Sequence, residues 1–178
     1  MALFEASSIR LHGNLIRKEK TMSTRAMYTF TDDRESFHVY KHHDGYPLSD
    51  GYGGLAFIQN AIPYAWNLPR VEAAEFAAAF VAANKRGIKE HIADMPDMKD
   101  FYEERGAGGD IDLMPQGTIN DVRHGDLEYR YEITSGKNDL HVKVFHCDWN
   151  LGGKGEWNDK LLFDGTLKGA LKWGKANA

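Results

Sequence analysis

Apolar and polar positions alternate in two early stretches, "AMYTFT" (26–31) and "SFHVYKHH" (36–43), separated by the turn-forming "DDRE". A period of two with aromatic and β-branched residues predicts strands, and so short a gap predicts a β-hairpin over residues 26–43. In its second strand Phe37, Val39 and Lys41 share one face, and His38, Tyr40 and His42 share the other. The period then changes. After "DGYPLSDGYGG", dense in turn formers, Leu55, Ile58, Ala61 and Ile62 recur at helical spacing, and Pro63 disturbs the pattern. "RVEAAEFAAAFVAANK" is the clearest helix. Its alanines favour helix, and Phe76, Phe80 and Ala83 form a stripe backed by Ala73 and Ala77.

"RGIKEHIADMPDMKDFYEERGAGG" carries mixed charge. Ile88, Ile92 and Met95 make one stripe, which Met98, Phe101 and Tyr102 continue past Pro96. We read residues 86–106 as a charged helical segment, either two short amphipathic helices or one kinked helix, stopped by "GAGG". The last third returns to a period of two: a short strand in "DIDLMP", then "DLEYRYEIT", a hairpin loop at "SGKND", "LHVKVFHCDW", and a final strand in "WNDKLLFDGTLKGAL" with an Asp-Gly turn at Asp164–Gly165. The expected fold class is α+β. An N-terminal β-hairpin, two to four helices and an antiparallel β-meander form one sheet with the helices on one face.

Composition narrows the picture only slightly. The 178 residues suit one domain, which can bury roughly 70% of its unfolded surface. A net charge of −4 is too mild for a DNA mimic and argues against nucleic-acid binding by charge alone. No run is long and apolar enough to span a bilayer. The single cysteine, Cys147, excludes an internal disulfide, fits a reducing compartment, and reads as a small buried residue.

The first residues lack a clean period. "MALFEASSIRLHGNLIRKEKT" is not built like a signal peptide. Lys18-Glu19 is encoded AAR-GAR, which can spell a ribosome-binding sequence shortly before Met22, and "MSTRAMYTF" reads as a natural start. We therefore expect residues 1–21 to be a doubtful extension, with residues 22–178 as the domain. The alternative is an arm docking through Leu11, Leu15 and Ile16.

The chemistry-bearing residues concentrate in "VYKHHDGYP" (39–47). Neighbours on a strand point to opposite faces, so His42 and His43 converge only if the strand ends between them. His38 and His42 are about 13 Å apart along a strand, too far to chelate one ion. No metal and no cofactor is expected. Asp44-Gly45 is a turn signal in which Gly45 takes positive φ, and Tyr46-Pro47 reads as extended chain leaving it. Glycines at the start of the next helix could offer N–H groups to an anion, but Ser49 or Asp50 as a helix cap explains them as well. His146 and Cys147 are strand neighbours and so do not form a Cys-His pair. No catalytic residue is assigned. The expected binding residues are Tyr40, Lys41, His42, His43, Asp44 and Tyr46 at the turn, with Glu103 and Glu104 in the charged segment.

"FHVYKHHDGYP", the helices after it, "GDLEYRYEI" and "LFDGTL" together resemble a group of small bacteriophage and prophage proteins. These carry a Tyr-Lys/Arg-His-x-Asp-Gly-Tyr-Pro signature after an opening hairpin, matched here by Tyr40, Lys41, His42, Asp44, Gly45, Tyr46 and Pro47. The resemblance covers residues 26–84 and 108–168, and against it the charged segment 86–106 looks like an insertion. It implies a genomic setting and no mechanism. From that setting, and because the sequence shows many aromatic and charged positions and no recognisable catalytic site, we expect an accessory protein that binds a host or defence-system protein, for instance as an inhibitor of CRISPR or another bacterial defence. It would act in the host cytoplasm, alone or as a homodimer. Two readings from other classes stay open: a small hydrolase or nuclease using His42, His43 and Asp44 with His146, and a small-ligand or nucleotide-binding module using the glycine-rich helix start.

Overall fold

The structure is a computed structural model that describes residues 24–48, 53–64, 72–94, 111–114, 116–135, 139–149 and 156–177. The expectations placed on residues 1–21, on most of the charged insertion, and on Glu103 and Glu104 lie outside the described residues.

The hairpin forms as its alternation predicts. Strand β1 (Ala26–Thr31) pairs antiparallel with β2 (Ser36–Lys41), Tyr28 opposite Val39. Asp32 makes the turn, accepting from the backbone of Arg34 and Glu35. Its second carboxylate oxygen accepts from Ala73 N at the start of a helix, at 2.8 Å. Helix α1 (Gly54–Ala61) and a 3-10 turn (Ile62–Tyr64) follow, then α2 (Ala73–Asp94). α2 is one continuous helix to Asp94, through the position where the sequence suggested a second helix beginning.

The remaining elements are β3 (Ile111–Leu113), the short helix α3 (Ile119–Val122), β4 (Tyr129–Ser135), β5 (Leu140–Trp149), β6 (Trp157–Thr166) and α4 (Leu167–Ala176). The six strands form one sheet in the order β3-β2-β1-β4-β5-β6. The α+β class and opening hairpin are as expected, but the sheet is mixed: β1 and β4 run parallel, Tyr28 beside Tyr131. Among the described residues β2, β3 and helices α1, α2 and α3 separate those strands in the chain, and a connection of that length permits the parallel neighbour that a hairpin loop forbids.

The C-terminus corrects another expectation. Asp164 and Gly165 do not turn the chain but stay in β6, opposite Lys143 and Val142. The strand ends at Thr166, whose hydroxyl accepts from Gly169 N at 3.1 Å and caps α4.

The main core lies between the sheet and helices α1, α2 and α4. Tyr28, Phe30, Tyr131, Ile133, Val142 and Val144 meet Leu55, Ile58, Phe76, Phe80 and Ala170 there. The rings interlock: Tyr28 stacks on Tyr131 at 4.8 Å, Phe80 tilts on Tyr28 at 4.4 Å, and Phe76 lies 5.2 Å from Phe30. Such pairs add about 0.5–1.5 kcal/mol each beyond burial alone. A smaller cluster lies on the other side of the sheet. There α3 and its flanks place Val122 and Leu127 on Met27, Tyr40 and Cys147. The three long helices thus share one face, and a strap formed by residues 116–127 covers part of the second.

Candidate functional site

The "DGYP" turn is first a structural joint. Asp44, not Gly45, adopts the left-handed conformation, at φ 56°. Asp tolerates it because its short side chain can bond locally, and here it accepts from Tyr46 Oη at 3.5 Å. Gly45 is required for a different reason. A methyl group there would lie 2.5 Å from Ala26 Cβ and 2.9 Å from Thr24 O. That close approach lets Gly45 N donate to Thr24 O and Gly45 O accept from the buried Tyr131 hydroxyl at 2.7 Å.

The glycine-rich helix start is used the same way. Gly54 N donates to Tyr46 O, and the N–H groups of Leu55 and Ala56 reach Leu48 O. The groups that could have held a phosphate serve the chain's own turn. Gly54 lies so close to the Tyr131 hydroxyl that a Cβ would overlap it. The helix is capped at Gly53 without a side-chain bond, and Ser49 and Asp50, the expected caps, lie outside the described residues.

Around this joint the expected binding residues separate. Lys41 is buried on the helix side of the sheet, with Nζ 4.4 Å from the centre of the Phe57 ring. It belongs to the inner packing and leaves the exposed surface. β2 ends at Lys41, so His42 and His43 lie beyond the strand and their rings meet edge to face at 4.6 Å. They do not point to opposite faces, because the alternation that predicted it ends one residue earlier.

Tyr40 lies on the second face, and His124 stacks on it at 4.2 Å with an angle of 15°. The Tyr40 hydroxyl sits 3.3 Å from His42 Nδ1 and 3.5 Å from Asp126 Oδ1. Arg25 Nε holds the other oxygen of Asp126 at 2.8 Å. Burial, then the Asp126 carboxylate, pushes the Tyr40 phenol up to about 12, so it stays protonated at neutral pH. The result is a ring cluster at one corner of the sheet: Tyr40 as its base, His42 and His43 half-buried, and His124 exposed. Arg25, His124 and Asp126 were not singled out from the sequence. Each sits just outside a strand, and only the β1–β4 pairing brings both flanks to Tyr40.

The second face carries two further groups. His38 is locked between Thr29 Oγ1 (2.9 Å) and Gly117 O (3.0 Å), which ties the strap to β2. Arg123 clamps Asp159 with both terminal nitrogens, at 2.9 and 2.8 Å, and Arg130 Nε reaches the same carboxylate at 3.1 Å. Burial pushes the Asp159 carboxyl up, but the two arginines outweigh it and hold it below the ordinary range. Arg130 also pairs with Glu132, and its guanidinium lies 3.9 Å from the Phe145 ring centre. Beneath this network burial, then Asp159, pushes the Cys147 thiol up to about 12. A thiol so protonated is a poor nucleophile.

His146 faces the helix side against Tyr129, at 5.5 Å, away from the ring cluster on the second face. The bonds of His42 and Asp44 run to tyrosines, so the base–carboxylate pairing that hydrolysis uses is not formed between them. Among the described residues, no three of His, Cys, Asp and Glu are grouped to hold a metal ion, and no helix is long and apolar enough to cross a membrane. Neither a protein-family model, nor a curated protein, nor a solved structure matches the chain.

Proposed function

We propose that the chain is a phage or prophage accessory protein that acts by binding a host or defence-system protein, as an inhibitor. The observation that carries this reading is the ring cluster of Tyr40, His42, His43 and His124. It stands at a sheet corner, held by the Arg25–Asp126 pair and by the joint beneath it. Aromatic and amphipathic rings on a rigid scaffold give contact area at small entropic cost, which is what a recognition surface needs. The signature residues divide the work: Asp44, Gly45 and Tyr46 build the joint, and Tyr40 and His42 stand on it.

The test is capture of partner protein from the bacterial host by the full chain and by a His42→Ala/His124→Ala variant. Both residues lie outside the main core, so the variant is expected to fold and to lose capture at least about tenfold, as for a hot-spot pair. Equal capture by a folded variant removes the ring cluster from the reading.

A further inference from the structure

The two edges of the sheet differ. At one end β3 offers only three residues. At the other, β6 runs for ten residues, and its outer side has no strand partner among the described residues. An edge strand presents a row of N–H and C=O groups that another chain can pair with. Short strands, prolines, bulges and charged side chains are the usual protection. β6 contains no proline, and its one irregularity lies between the Phe145–Leu161 and Val144–Phe163 pairs, at Leu162. Its charges are Asp159, Lys160 and Asp164, and an edge charge turns away a like charge while admitting an opposite one. The five residues before it, Trp157–Leu161, pair in unbroken register with β5.

That stretch has a readable pattern. On the second face Trp157 lies under the Arg123 guanidinium, Asp159 is neutralised by Arg123 and Arg130, and Leu161 is 48% exposed. On the helix side the exposed residues are Asn158 and Lys160. A strand laid along this edge would need an apolar residue beside Leu161 and an acidic residue beside Lys160, alternating.

A second copy of the chain does not meet that need. The antiparallel register that covers Leu161 with Trp157 of a second copy leaves Lys160 opposite Asn158, with no acid, and the register that sets Lys160 opposite Glu156 takes Leu161 off Trp157.

We propose that β6 is a strand-addition site that takes an extended segment of a different protein, in which apolar and acidic residues alternate. Backbone hydrogen bonds supply affinity, and the Leu161 and Lys160 positions supply selectivity. This surface is separate from the ring cluster and does not depend on it.

The test uses a blocked peptide, acetyl-Thr-Val-Glu-Val-Glu-Val-Thr-amide, titrated into the full chain with amide hydrogen exchange as the readout. Saturable binding with new protection in residues 157–161 is expected. Lys160→Glu should weaken it about tenfold, and a peptide with lysine for glutamate should restore it, as for a swapped cross-strand charge pair. Leu161→Glu should weaken binding, while Leu113→Glu on the opposite edge and His124→Ala should not. Absence of saturable binding at millimolar peptide overturns the proposal, as does binding indifferent to Lys160→Glu and Leu161→Glu. Both side chains are exposed, so these variants keep the fold.

Discussion

Gly45 shows how a residue that looks like part of a site can be part of the joint under it. Nothing near it is soft: the atoms that meet an added methyl are Ala26 Cβ, Ala26 N and Thr24 O. Gly45→Ala is therefore expected to cost about 1–3 kcal/mol, the range for overpacking a close contact, read as a lower urea midpoint. Gly125→Ala, where nothing lies within 4 Å, is the matched control and should be close to neutral. Cys147 gives a second residue-level test. With its thiol pushed up to about 12 and the side chain buried, iodoacetamide at pH 8 should label it only at the rate of unfolding. Labelling in native buffer at the rate of a free thiol would contradict its placement beneath the arginines.

At the scale of elements, the strap on the second face depends on Arg123 and Asp159, which join α3 to β6. The folded Asp159 carboxyl lies below its ordinary value, so its contribution is present above the unfolded value, near 3.9, and is lost as pH falls through and below it. The stability difference between the wild type and Asp159→Asn should thus be largest near neutral pH and shrink below about pH 4. A difference that grows on acidification would contradict the sign.

The same scale shows what the sequence made legible. The strands could be read because Tyr129, Tyr131 and Ile133, and then Leu140, Val142 and Val144, alternate against a wet face. α2 could be read from Phe76, Phe80 and Ala83. α4 was hidden: Leu167, Ala170, Leu171 and Gly174 do recur at helical spacing, but three glycines from Gly165 to Gly174 and the Asp164–Gly165 pair suggest a turn instead. The parallel β1–β4 pairing was not legible, because a strand's own alternation does not name its neighbour. The ring cluster was half legible for that reason: Tyr40, His42 and His43 are local, whereas Arg25, His124 and Asp126 arrive through tertiary pairing.

At the scale of the molecule, one face of the sheet is sealed by three helices and the other is left to the strap, the ring cluster and the charged network. The buried Tyr131 hydroxyl, the Asp44–Pro47 joint and the start of α1 form a continuous support beneath the corner that carries the rings. A fold that stiffens one corner in this way is suited to presenting a surface. The most direct test is native mass spectrometry of the full chain purified gently from bacterial cells that express it. The account predicts a stoichiometric complex with a host protein that disappears for His42→Ala/His124→Ala. A bare chain, or one carrying only the mass of a small molecule, would contradict it.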